Sequence, residues 1–118
     1  MNPNPIVPFV DLTFQNASVR EEVFRHLSLV VDSSDFVLGS AVKGFEESFA
    51  QYCGTRHAVG VGSGTEALTL ALKAIGIQPN DEIIAPTNTF VATIEAIVHA
   101  GSKPILADVD PLTYNLNP

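Results

Sequence analysis

The chain has 118 residues, of which 46% are hydrophobic and 16% charged, a balance that predicts a folded domain of modest core and excludes a disordered chain. Thirteen acidic residues against six basic ones give a formal net charge of −7. Because the basic residues are also scattered, this charge excludes a nucleic-acid interface and a polybasic membrane patch. The lone Cys53, expected to be a buried structural thiol, and an N-terminus without a signal-peptide pattern predict a cytoplasmic protein.

The first part of the chain is predicted to form an arm and two helices. Residues 6–12 are apolar and flanked by prolines, which is typical of an extended arm. A helix is expected to begin near Ser18, because Ser18 and Glu21 have the spacing of a capping box. Its apolar stripe consists of Val19, Val23, Leu27 and Val30. A second helix is expected over residues 40–52, with Gly54 as its stop.

From residue 57 onward, β-prone and helical segments alternate. The predicted elements are a strand at 57–61, a helix at 65–75, a strand at 82–85, a helix at 90–100 and a strand at 104–108. The strands are too continuously apolar to have a wet face, which indicates an α/β fold with three mainly parallel strands. Since three strands leave both sheet edges open, we expect this part to begin a larger domain.

A glycine-rich turn leads from the first predicted strand into the next helix. Free backbone N–H groups at a helix N-terminus bind anions, Gly64 allows a phosphate to approach closely, and Thr65 adds a hydroxyl. Ser63 and Glu66 also match a capping box that would satisfy these N–H groups internally, so both interpretations stay open here. A dinucleotide-binding loop is disfavoured, because Thr65 replaces the third glycine of its motif.

Residues 86–93 form a second turn from strand to helix. In a parallel sheet both turns lie at the carboxyl ends of strands, where ligands bind. The ring of Phe90 could stack there on a planar heterocycle, or it could belong to the core of its own helix. Asp108 and Asp110 follow the last strand, and Asp110-Pro111 favours a turn over a substrate contact.

Together, these segments resemble the DegT/DnrJ/EryC1/StrS family of sugar aminotransferases, within the fold-type I enzymes that use pyridoxal 5′-phosphate (PLP). The matching segments are Val7-Pro-Phe-Val-Asp-Leu12, Phe36-Val-Leu-Gly39, Val42 to Tyr52, Ala58-Val-Gly-Val-Gly-Ser-Gly-Thr-Glu-Ala-Leu68, Asp81-Glu-Ile-Ile-Ala-Pro86, Thr89-Phe-Val-Ala-Thr93, Asp108-Val-Asp110 and Thr113-Tyr-Asn115. The sequence departs from the family at Gln78 and Asn80, where glycines are usual. Asn80 tolerates a left-handed backbone, so we expect the turn to be kept.

The resemblance implies that residues 1–35 form an arm and first helix, and that residues 36–118 begin the large PLP-binding domain. It implies that Gly64, Thr65 and Glu66 hold the PLP phosphate, mostly through backbone N–H groups, and that Phe90 covers one face of the pyridine ring. The Schiff-base lysine and the aspartate that pairs with the pyridinium nitrogen would lie beyond residue 118. The chain by itself is therefore expected to hold no catalytic residue and to be inactive.

The resemblance implies that the whole enzyme is a homodimer that moves an amino group from an amino acid, usually glutamate in this family, to a keto group of a nucleotide-linked sugar. Two alternatives remain: a PLP-dependent keto-deoxysugar dehydratase of the same fold, and a non-catalytic phosphate-binding or regulatory module. None of the three lysines has a motif for a Schiff base, and all are expected to be solvated. They are Lys43, Lys73 and Lys103. The three histidines lack the spacing of metal ligands.

Overall fold

The computed structural model describes residues 7–117. They form two compact units, here called the helical unit, within Met1–Ala58, and the sheet unit, within Val59–Pro118. The helical unit contains α1 (Thr13–Ser33) and α2 (Ser40–Cys53). The sheet unit contains α3 (Gly64–Ala74), β1 (Glu82–Pro86), α4 (Val91–His99) and β2 (Lys103–Ala107). The predicted domain boundary after residue 35 stays a prediction.

Helix α1 begins five residues earlier than the sequence predicted. Asp11 Oδ1 accepts a hydrogen bond from the Thr13 N–H at 2.9 Å, so a carboxylate outside the helix occupies its first free donor. The Ser18 hydroxyl instead donates to the Gln15 carbonyl at 2.7 Å, inside the helix. The predicted capping box at Ser18 is therefore wrong. Of the predicted arm, Ile6 lies outside the described residues, and residues 7–12 are neither helix nor strand.

Helix α2 begins and ends where the sequence predicted to within one residue. At its start, Asp35 Oδ2 accepts from the Ser40 N–H at 2.7 Å, and a Cβ on the buried Gly39 would overlap that carboxylate. At its end, Gly54 is left-handed with φ of 66°. Cys53 is exposed, so the expectation of a buried thiol is wrong: it is the last helical residue and no described element covers it.

In the sheet unit, α4 connects two parallel strands. Strands β1 and β2 pair from Glu82 opposite Lys103 to Pro86 opposite Ala107, and the ammonium of Lys103 lies 2.9 Å from the Glu82 carboxylate. Helix α4 packs on the sheet, and its residues Ala92, Ala96 and Ile97 are buried together with Ala85 of β1. This βαβ arrangement confirms the α/β fold class.

The predicted number of strands is wrong within the described residues. The sheet has two strands rather than three, because residues 57–61 are not a strand. An extended apolar segment becomes a strand only when a neighbour forms a ladder with it, and no strand in residues 7–117 pairs with this segment. Val59 accordingly remains exposed.

The turn that departs from the family pattern keeps a left-handed residue. Asn80 has φ of 71°, which confirms that asparagine replaces glycine there without loss of the turn. Gln78 contributes its N–H to Asp81 Oδ2 at 2.7 Å, and the Asn80 N–H donates to the Gly101 carbonyl at 3.2 Å. These contacts fix the entry into β1. No helix in residues 7–117 is long and apolar enough to cross a membrane.

Candidate functional site

The N-terminus of α3 is organised by its own side chains. Ser63 is the N-cap residue, and its Oγ accepts from the Glu66 N–H at 3.1 Å. The Glu66 carboxylate reaches back and accepts from the Gly62 N–H at 2.8 Å. This is a capping box shifted by one residue, since the carboxylate binds Gly62 rather than the N-cap residue. The capping interpretation of Ser63 and Glu66 is confirmed.

Capping leaves two donors of this helix end available. The N–H groups of Gly64 and Thr65 have no acceptor among residues 7–117. A Cβ on Gly64 would meet no atom within 4 Å, so the backbone there is open to a ligand. Two free N–H groups at the positive end of a helix dipole suit an anion. Capping and anion binding are thus compatible, because they use different N–H groups.

A cleft of about 660 Å³ lies beside this helix end, between α3 and the start of α4. Its lining includes Gly64, Thr65, Leu68, Ala71, Phe90 and Thr93. The volume is in the range of roughly 300–1,000 Å³ typical of small-molecule sites, and most of the lining is apolar. The structure therefore brings three of the four predicted site residues together. The fourth, Glu66, does not line the cleft.

Phe90 is not a core residue of its helix. It is the N-cap of α4 with extended backbone angles, and 77% of its surface is exposed. The core alternative is therefore wrong, and the ring is free to contact a ligand in the cleft. Beside it, the hydroxyls of Thr89 and Thr93 form a hydrogen bond of 2.9 Å. Sequence reasoning missed Thr93, although its position one turn after Phe90 on α4 could have indicated it.

The carboxylate of Asp110 forms a turn rather than a binding site. Its Oδ1 accepts from the N–H groups of Thr113 at 2.8 Å and Leu112 at 2.9 Å. These two bonds favour the ionised carboxylate and lower the pKa of Asp110 below its ordinary value. The turn interpretation of Asp110 is confirmed. Lys103 is engaged with Glu82, and Lys43 lies 4.0 Å from Glu47.

Comparison with known proteins identifies similar chains. A family model described as the DegT/DnrJ/EryC1/StrS aminotransferase family matches residues 17–118. A pleiotropic regulatory protein of Geobacillus stearothermophilus is 42% identical over 95% of this chain and 30% of its own length. A UDP-N-acetyl-3-dehydro-alpha-D-glucosamine 3-aminotransferase of Acidithiobacillus ferrooxidans is 41% identical over 97% of this chain and 31% of its own.

Among solved structures, DesV of S. venezuelae, in complex with a ketimine intermediate, has a TM-score of 0.91 and 41% identity. The match covers 98% of this chain and 31% of that chain. The chain thus spans about a third of the length of these proteins, and the similarity includes both the helical and the sheet unit.

Proposed function

The chain belongs to the DegT/DnrJ/EryC1/StrS aminotransferase family, and on this premise we propose that it is the N-terminal part of a PLP-dependent sugar aminotransferase. This part of the enzyme would contribute the residues that bind the phosphate and stack on the ring of the cofactor. One observation carries the proposal: the cleft beside α3 joins two free N–H groups with the exposed ring of Phe90.

The residues present fit the cofactor in charge and in shape. The phosphate is an anion, and the N–H groups of Gly64 and Thr65 with the Thr65 hydroxyl offer it up to three donors. The pyridine ring is planar, and Phe90 offers a flat apolar face. The Glu66 N–H could reach the phosphate only by leaving Ser63 Oγ, so we assign the main phosphate contacts to Gly64 and Thr65.

When bound, PLP supplies the electron sink for amino transfer, and the protein supplies binding and orientation. In this chain, the end of α3 would hold the phosphate while Phe90 fixes the plane of the ring and keeps water from one face. The remaining two thirds of the enzyme would supply the lysine and the aspartate that the resemblance requires. We further propose a cytoplasmic homodimer.

The names of the relatives support a proposal for the substrate class. The similar protein of A. ferrooxidans is named for amino transfer at position 3 of a UDP-linked sugar. We therefore propose a nucleotide-linked keto sugar as acceptor and an amino acid, glutamate first, as donor. Product analysis of the full-length enzyme separates the alternatives: an aminated sugar supports transfer, loss of a sugar hydroxyl supports a dehydratase. Cofactor binding without turnover would support the regulatory role for which the G. stearothermophilus relative is named.

Substitutions in the full-length protein test the site. Thr65→Ala removes one hydroxyl donor, and Phe90→Ala removes the stacking ring; each is expected to weaken PLP binding by about two- to thirtyfold, given roughly 0.5–2 kcal/mol for such a contact. The measurement is a PLP titration of the apoenzyme followed by absorbance. Thr113→Ala, in the turn made by Asp110, is the matched control and should leave the dissociation constant unchanged. Unchanged affinity in both site variants would remove the assignment.

The chain of 118 residues is expected to form no specific covalent adduct with PLP. Its three lysines are outside the cleft lining given by the described residues. Incubation with PLP, borohydride reduction and peptide mapping would check this. A pyridoxyl group at one specific lysine would contradict the expectation.

A further inference from the structure

The loop before α3 is closed by the side chain of Glu66, through a contact that phosphate binding would not use. Glu66 Oε2 accepts from the Gly62 N–H at 2.8 Å, across four residues. A Cβ on Gly62 would lie 3.0 Å from the same oxygen, so the carboxylate rests against the backbone at this position. We call this contact, between Glu66 and Gly62, the Glu66 clasp.

The clasp and the N-cap act on the same few residues. Ser63 Oγ binds the Glu66 N–H, and the Glu66 carboxylate binds the Gly62 N–H, so the loop is fixed before and after Gly64. The two N–H groups that stay available belong to Gly64 and Thr65, which lie between these contacts and line the cleft. The donors for an anion are therefore preorganised by a neighbouring acidic side chain.

The Glu66 carboxylate also has an unfavourable effect on the binding of an anion. It brings a negative charge to the helix end that would receive a phosphate, and like charges repel. The clasp and the charge thus act in opposite directions on anion affinity. Glutamine can separate them, because its amide oxygen still accepts a hydrogen bond while its charge is absent.

We propose that Glu66 is a positioning residue for the phosphate site: it acts on the cofactor through the loop, not by contact. This inference rests on the proposed function, since it assumes that the anion is the PLP phosphate. It assigns Glu66 a different part from the direct contact that the sequence resemblance implied. It also predicts that a substitution that removes the clasp weakens PLP binding, whereas one that removes only the charge does not.

The test uses the full-length apoenzyme and a PLP titration at low salt. Glu66→Ala removes both the clasp and the charge. We expect the loss of the clasp to outweigh the loss of the exposed charge, so the PLP dissociation constant should rise about three- to tenfold. Glu66→Gln keeps an acceptor and removes the charge, so its dissociation constant should equal or fall below that of the wild type, by up to about threefold. That advantage should shrink at high salt, where charges are screened.

Glu95, on the exposed side of α4 and outside the cleft lining, provides the matched controls Glu95→Ala and Glu95→Gln. A role in helix stability alone would lower the apoenzyme melting temperature in Glu66→Ala without changing its PLP dissociation constant. Equal weakening in both Glu66 variants would show that the carboxylate charge is needed, and no change in either would show that the clasp is irrelevant. Each of these three results would overturn the proposal. A wild type that does not bind PLP would refute the proposed function itself.

Discussion

The two units of the chain use similar local signals to form helices but differ in how far they bury apolar side chains. In the sheet unit, α4 lies against strands and buries Ala96 completely and Ile97 to 3% exposure. In the helical unit, α1 has an apolar stripe but no buried residue, and Leu27 remains 54% exposed. Apolar periodicity and capping are therefore enough to specify a helix, whereas a core also requires a second layer that receives its apolar face.

The largest expected effect is on folding stability, when an apolar side chain is truncated in each of the two units. Ile97→Ala removes a buried side chain and should lower the free energy of unfolding of the sheet unit by about 2–5 kcal/mol. Leu27→Ala removes a half-exposed one and should cost the helical unit less than about 1 kcal/mol. Urea denaturation of the 118-residue chain, with amide hydrogen exchange to resolve the two units, measures both. Equal losses would mean that the helical unit has a core of its own.

This contrast also explains what could be predicted from the sequence. Helix α2 and the strands at 82–85 and 104–108 were predicted to within one or two residues, because glycine stops and apolar patterns are local signals. The predicted strand at 57–61 is wrong, because a strand depends on pairing with a neighbouring strand from elsewhere in the chain. No local sequence pattern indicates whether that neighbour is present. The start of α1 was predicted five residues too late even though its capping contact, between Asp11 and Thr13, is local, because Ser18 and Glu21 also have the spacing of a capping box.

Some features of the candidate site could likewise be predicted from the sequence, and others could not. Gly64 and Thr65 followed from the glycine-rich turn, and their free N–H groups are a consequence of helix geometry. The sequence did not predict that the Glu66 carboxylate accepts from the Gly62 N–H. The spacing of Ser63 and Glu66 is equally compatible with a bond from the N–H of the N-cap residue. The exposure of Phe90 could not be read from the sequence either, since a core ring and a ligand-stacking ring have the same residue type.

A smaller effect on stability is expected from replacing two serines, each of which precedes a glutamate by three residues. Ser63 caps α3, so Ser63→Ala should destabilise the sheet unit by about 0.5–2 kcal/mol. Ser18 lies inside α1, and Ser18→Ala should be neutral or slightly stabilising, because alanine favours helix interiors. Thermal unfolding followed by circular dichroism compares the two variants with the wild type. A comparable loss in Ser18→Ala would restore the capping box that the structure rejects.

The smallest effect concerns one aspartate in each unit. The Thr13 hydroxyl and N–H lower the pKa of Asp11, and the N–H groups of Thr113 and Leu112 lower that of Asp110, both from the ordinary value of 3.8. A lowered pKa in the folded chain means that the stabilisation is complete above pH 3.8 and is lost as the pH falls through the folded value.

Carboxyl titration by NMR should therefore give midpoints below 3.8 for both groups. Asp110→Asn, which keeps an acceptor for the turn, should remove the pH dependence of stability that Asp110 contributes and leave that of Asp11 unchanged. Because both carboxyls reach solvent, the change should be small in either unit. A midpoint at the ordinary value for Asp11 alone would mean that the start of α1 frays in solution. The helical unit would then differ from the sheet unit in the order of its turns as well as in the burial of its apolar side chains.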